Sequence, residues 1–328
     1  MSNATPLVTI FGGSGFIGRY VANRMAQSGW RVRVAVRRPN EAMHVKTYGI
    51  VGQVEPILAN IRDEDSTRKA IAGADVVINC VGIFFEVAKQ KFDAVHVDGA
   101  ARIARIATEE GVKQLVHLSS LGANSESNSE YLQSKAEGEQ AVLTSFPSAT
   151  ILRPSAVFGT EDKFLNRIAG FSLITPVMPV IGAQTKFQPV FVGDVAKAVE
   201  AAIANTATGT FELGGPEVKT MRELTEITMD VVHRKRFLVN APFWIVGIKA
   251  WFFDMGAAML GGLFPALITR DQVKFLRHDN IVADGVKTFA DLGVTPTAME
   301  AVLEDYLYCY RPNGQYTAIT DSGKNLKA

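Results

Sequence analysis

The run Leu7-Val8-Thr9-Ile10-Phe11 has the β-branched and aromatic make-up of a buried strand. It meets glycines at 12, 13, 15 and 18 before a helix-like stretch from Phe16 to Ser28. Strand, glycine-rich turn and helix, in that order, leave few folds open. Backbone N–H groups at a helix N-terminus, aided by the helix macrodipole, bind a pyrophosphate when no side chain stands in the way. Read so, Gly12 permits the turn, Gly15 admits the phosphates and Gly18 lets the helix pack on the sheet, with Gly13, Ser14, Phe16 and Ile17 completing the loop. A bare glycine turn is the alternative, and the position between a first strand and a first helix favours the dinucleotide.

Arg31 to Val36 predicts a second strand, ending in Arg37-Arg38. In dinucleotide folds the adenosine ribose lies at this strand end, where an acidic residue suits the 2′-hydroxyl of NAD and arginine suits a 2′-phosphate. Arg37 and Arg38 therefore point to NADPH, with a solvated basic strand end as the alternative. Val54 to Leu58 predicts a third strand; Asn60, with Ile61 beside it, is placed to reach the adenine edge, and Asp63 to cap the next helix. Asp75 to Gly82 reads as a buried parallel strand whose end, Cys80-Val81-Gly82, lines the cofactor. Cys80 reads there as a small core residue rather than a reactive thiol. Phe92 to Glu110 follows as one helix, and Gln114 to Ser120 as a fifth strand ending in two hydroxyls, Ser119 beside the cofactor and Ser120 beside the chemistry. Alternating strands and helices predict an α/β protein with a Rossmann-type doubly wound parallel sheet.

Tyr131 and Lys135 open the next helix at i and i+4, on one helical face. A cation beside the phenol favours phenolate and lowers its pKa, making Tyr131 a usable proton donor or acceptor for a carbonyl or alcohol, while Lys135 can also hydrogen-bond a nicotinamide ribose.

The second half reads as a smaller, discontinuous, mostly helical domain. Ala149 to Gly159 reads as a sixth strand running into a loop; Thr160 to Ile181 leaves the sheet, with Pro176 and Pro179 opposing a regular helix. Phe187 to Val192 returns as a strand before a helix from Val195 to Ala204, then a strand near Thr210; Thr220 caps a helix running to His233. The expected division is 1–158 with 187–216 for nucleotide binding, 159–186 with 217–310 for substrate or docking, and a polar arm over 311–328. The stretch Ala241 to Ile268 is rich in Trp and Phe, which suits core packing over a substrate site or docking on a partner or membrane interface. Its Lys249, Asp254 and Pro265 make it a poor membrane span. A net charge of +1 gives no field that would draw nucleic acid, and two cysteines without metal spacing suggest no metal site and a reducing, cytoplasmic compartment. The opening MSNATPLVTI has neither the charged nor the apolar region of a signal peptide.

The sequences GGSGFIG, VRR, NCVG, HLSS, YLQSK and ILRPSAVFG resemble the short-chain dehydrogenase/reductase superfamily along nearly the whole chain. YLQSKAEGEQAV, LRPSAVFGTEDKFLNRIA and QPVFVGDVAKAV are more specifically similar to the NADPH-binding accessory subunits of respiratory complex I. That resemblance implies a bacterial complex I subunit whose tightly bound NADPH serves structure, near the quinone-site arm. Its partners would be other complex I subunits, its seat peripheral on the cytoplasmic side of the plasma membrane, with membrane contact. It also places the Pro154-Ser155 backbone against the nicotinamide. Active members carry Ser or Thr where this chain has Leu121 and asparagine where it has His96, so Tyr131, Lys135 and Ser120 form an incomplete proton relay. The alternatives are an active NADPH-dependent reductase or epimerase acting on a sugar-nucleotide or terpenoid carbonyl, and a nucleotide-sensing regulator.

Overall fold

The structure, a computed structural model, describes residues 5–243 and 269–316 of the 328. Seven strands form the central sheet: β1 (Leu7–Phe11), β2 (Arg31–Val36), β3 (Val54–Leu58), β4 (Val76–Asn79), β5 (Gln114–Leu118), β6 (Thr150–Pro154) and β7 (Gly209–Leu213). Their order is β7-β6-β5-β4-β1-β2-β3, and every pair is parallel. The order reverses between β1 and β4, which is where an open α/β sheet leaves a crevice for a ligand.

Near-continuous apolar runs suit strands covered on both faces. Val8, Ile10, Val34 and Ile78 face one buried layer with Val21, Met25 and Val199 of the helices α1 (Phe16–Gln27) and α6 (Val192–Ala204). Phe11, Val77, Leu115 and Ile151 face the other, against Ile103 and Ile106 of α3 (Asp98–Glu109) and Val142 of α4 (Glu130–Ser145). Asp63 caps α2 (Glu64–Ile71), as the sequence predicts, by accepting from the Ser66 amide. A third core gathers Phe158, Leu165 of α5 (Leu165–Ile174), Leu224 of α7 (Met221–Val231) and Leu303. Phe289 and Leu292 join the first core, so that part of the chain crosses back under the large sheet.

Four sequence expectations are corrected. The fourth strand ends at Asn79, not Gly82, because the Asn79 side chain accepts from the Val81 amide (3.1 Å) and turns the chain out of the sheet. The helix expected over Phe92–Glu110 starts with a π turn at Asp93–Val97 before α3, and that turn carries the buried His96 into two long-range hydrogen bonds. Between 160 and 181 there is a ten-residue helix, α5; Pro176 lies beyond its C-cap Thr175 and so never enters it. The strand expected over 187–192 is two pairs, Lys186–Phe187 and Val190–Phe191, split by Gln188-Pro189, with α6 already under way at Val192. Thr220 does cap α7, through a full capping box with Glu223. Most of the aromatic stretch 241–268, and most of the arm 311–328, lie outside the described residues. Among the described residues no helix is long and apolar enough to cross a membrane.

Candidate functional site

β1 ends at the glycine loop. The Gly12 amide donates to the Ala35 carbonyl (3.0 Å) and Cys80 donates to Phe11 (2.9 Å), so β1, β2 and β4 present their carboxyl ends together. Gly12 has φ +74°, a left-handed conformation costly for any residue with a Cβ. A Cβ on Gly18 would strike the Gly12 carbonyl oxygen, which is why the helix can start so close to the turn. Gly13 faces inward onto Val34 and Ile10, so its part is packing. Gly15 is the N-cap of α1, and no side chain caps the amides of Phe16, Ile17 and Gly18. They form an open anion seat beside Ser14, with no acidic residue in the first turn.

Arg37 and Arg38 are both exposed at the end of β2; Arg38 reaches Glu41 in a surface ion pair (3.0 Å), and Arg37 makes no ion pair among the described residues. The Asn60 side chain accepts from the Arg62 amide (3.2 Å). Ile61 is buried under α3 near Gly99, so only its backbone can face a ligand. Gly82 is exposed, and a Cβ there would lie 3.3 Å from the Lys135 ammonium. Burial pushes the Cys80 thiol up to about 12, consistent with an inert residue. Ser119 is 6% exposed and its hydroxyl has no hydrogen-bond partner. The buried Ser119 hydroxyl and the bare helix N-terminus suit a bound dinucleotide.

Tyr131 and Lys135 sit on the first turns of α4 as their spacing predicts, but the electrostatics differ from the sequence reading. Lys135 is buried and donates to the Leu118 carbonyl (3.3 Å); burial lowers it to about 8, partly offset by Glu139. Burial likewise raises the Tyr131 phenol, only partly offset by the nearby Ser120 hydroxyl. The phenol is therefore harder to ionise than a free tyrosine, because loss of water outweighs any nearby cation.

The ring of Tyr131 is closed in by Phe84 (centroid 5.0 Å), His96 (5.7 Å), Phe92 (6.0 Å) and Phe275 (6.1 Å). His96 is fixed from both sides: its Nε2 accepts from the Ile83 amide (3.0 Å), leaving Nδ1–H to donate to Ser134 Oγ (2.9 Å), which donates to the Tyr131 carbonyl (2.9 Å). Burial first, and the charge of Lys135 second, hold His96 down to about 2, so it is a neutral imidazole. The neighbouring His117, bonded to Asn79 (3.1 Å), is held down to about 3 by burial. Leu121 is buried and offers no hydroxyl. The Ser155 amide donates to the Leu213 carbonyl (2.9 Å), and its hydroxyl to Asn280 Oδ1 (2.6 Å).

Sequence reasoning missed Asp271, Phe275 and Asn280, which come from beyond the aromatic stretch and carry no local signal. Asp271 accepts from Ser129 Oγ (2.9 Å) and from the amides of Glu130 (2.7 Å) and Tyr131 (3.1 Å), so it caps α4 from 140 residues away. A groove of about 1080 Å³ lies elsewhere, lined by Ala136, Gln140, Thr144 and Arg153 on a different face of α4.

Fold and site define a dinucleotide-binding protein of the short-chain dehydrogenase/reductase type. Residues 8–214 match the NAD dependent epimerase/dehydratase family. The chain is 36% identical over 326 residues to the mitochondrial NADH dehydrogenase (ubiquinone) 1 alpha subcomplex subunit 9 of Arabidopsis thaliana, covering 97% of this chain and 81% of that protein. It is 32% identical over 243 residues to a ceramide reductase of Caulobacter vibrioides, covering 74% and 75%. The UDP-glucose 4-epimerase of Thermus thermophilus, solved in complex with NAD, superposes with a TM-score of 0.66 at 17% identity, covering 93% of this chain and 99% of that one, which shows the shared fold. The chain belongs to the NAD dependent epimerase/dehydratase family, and within it to the family of the alpha subcomplex subunit 9 proteins of the respiratory NADH dehydrogenase. The ligand class of its site is thus a nicotinamide dinucleotide.

Proposed function

We propose that this chain is an accessory subunit of a bacterial respiratory complex I, peripheral on the cytoplasmic side of the plasma membrane near the quinone-site arm, and that it holds NADPH as a structural ligand. The observation that carries this reading is the crowding of the half-buried Tyr131 ring by Phe84, Phe92, His96 and Phe275, which narrows the space left for a substrate beside it. The glycine loop and the amides of α1 would hold the pyrophosphate, Arg37 and Arg38 the 2′-phosphate, Ser119 and Lys135 the nicotinamide side, with the backbone at Pro154-Ser155 beside it. Bound NADPH supplies a hydride donor. Around it, this chain's residues exclude water and keep Tyr131 protonated, an arrangement that favours retention over turnover. A ligand that binds only the folded chain adds directly to its stability.

A second reading, an active NADPH-dependent reductase, draws support from the pairing of Tyr131 with Lys135 on α4 and from the likeness to a ceramide reductase. Nucleotide content separates the two. The first reading expects about one NADPH per chain after gel filtration, unaltered when carbonyl compounds are added; nucleotide lost on dilution, or oxidised by an added carbonyl, contradicts it.

A further inference from the structure

The segment from Thr269 to Asn280 touches the Tyr131 site at several points: the start of α4, the Tyr131 and Phe84 rings, Ser155 and Leu121. It opens with a capping box, Thr269 with Gln272, that fixes the short helix α8 (Arg270–Phe275). From that helix Asp271 takes three hydrogen bonds from the start of α4, and Phe275 lays its ring edge-on to Tyr131 and to Phe84 (5.7 Å). The Leu276 carbonyl accepts from Thr185 Oγ1 (2.6 Å) and Asp279 from the Lys186 amide (2.8 Å), which moors the segment to the smaller layer. Asn280, 4% exposed, then binds both loops at the sheet edge: its Oδ1 accepts from Ser155 Oγ, and its Nδ2 donates to the Leu121 carbonyl (3.1 Å).

These contacts serve more than one end. A helix N-terminus in water needs no remote carboxylate, since solvent satisfies its amides. Here one comes from 140 residues away and is aimed at the amide of Tyr131 itself. The aromatic ring that travels with it packs edge-on against the Tyr131 ring. Asn280 takes up the Ser155 hydroxyl and the carbonyl of Leu121, the position where active relatives are expected to keep their third hydroxyl.

We propose that Thr269–Asn280 is a strap that shuts the substrate side of the site, with Asp271, Phe275 and Asn280 as its points of attachment. Asp271 and Asn280 are positioning residues: they hold Tyr131 and the two loops, and Phe275 is the cover. This deepens the structural-ligand reading and rests on it only for what the strap encloses. It locates the block to turnover in three removable side chains rather than in loss of Tyr131 or Lys135.

The test is access to Tyr131 in the full chain. Nitration of Tyr131 by tetranitromethane, read by peptide mass, and hydrogen exchange at the Glu130 and Tyr131 amides are compared among wild type, Phe275→Ala, Asp271→Ala and Asp271→Asn. Phe275→Ala should speed nitration about tenfold without changing amide exchange, because only the cover is gone. Asp271→Ala should speed exchange at both amides about tenfold, and Asp271→Asn, which keeps an acceptor oxygen, should restore much of the protection. Wild-type Tyr131 nitrated as fast as in Phe275→Ala, or amide exchange indifferent to Asp271, overturns the strap. Should Asp271→Ala fail to fold, Phe275→Ala and Asp271→Asn still decide. NADPH content, measured on the same wild-type sample, reports separately: protection without NADPH sinks the structural-ligand reading alone, and NADPH held beside an accessible Tyr131 sinks the strap alone.

Discussion

Two buried neutral histidines make the stability of this chain fall in mild acid. His96 and His117 are both 2% exposed, and burial holds them down to about 2 and about 3 from the ordinary 6.5. The folded state refuses a proton that the unfolded chain accepts below pH 6.5, so stability is complete above that pH and is lost as pH falls below it. At pH 5, about 1.5 units below the unfolded value, each histidine costs about 2 kcal/mol, and the pair about 4 kcal/mol. That is a large part of the roughly 5–15 kcal/mol that holds a domain together. Carboxylates such as Glu64 and Glu109, lowered by their arginine partners, lose their contribution only at more acid pH, outside this window. Lys135, lowered to about 8, titrates above it. Urea unfolding at pH 7.5 and pH 5 should therefore differ by about 4 kcal/mol in the wild type and by about 2 kcal/mol in His96→Asn, whatever that substitution costs at neutral pH. An equal pH difference in the two proteins would refute the claim that His96 is neutral.

Replacing Arg37 and Arg38 together by alanine should weaken NADPH about 10- to 100-fold, the worth of one or two charge-assisted hydrogen bonds, and leave NADH unchanged; equal losses in a fluorescence titration would place the 2′-phosphate elsewhere. Gly18→Ala puts a Cβ onto the Gly12 carbonyl, so urea unfolding should register a loss of about 1–3 kcal/mol as the loop is pushed aside, and no loss would mean the loop gives way freely. Tyr131→Phe should leave assembly and quinone reduction by the host complex intact, as judged by native gel and NADH oxidation, whereas a large fall in turnover of a correctly assembled complex would make the phenol a working acid.

Local pattern was enough for the parts whose physics is local. The bounds of β1, the start of α1 at Phe16 and the Thr220 N-cap follow from residues within a few positions of one another, and the structure repeats them. The parallel order of the sheet follows from strand and helix alternation in the same way. What could not be read was set by distant groups. The π turn exists where His96 meets Ile83 and Ser134. The ionisation of Tyr131 was misread because spacing reveals a cation four residues on, but not the four rings that strip the phenol of water. Asp271, Phe275 and Asn280 had no motif, since a carboxylate capping a helix 140 residues away is visible only after the chain has folded. α5 was missed by reading Pro176 as a breaker of the whole segment, when it only limits where the helix must stop.

The central claim is tested most directly by native mass analysis of the protein drawn from its own membranes in mild detergent. The account predicts migration with a large respiratory assembly, one NADPH still bound per chain. A free monomer or dimer that has shed its nucleotide, or that oxidises NADPH when offered a carbonyl compound, would contradict it.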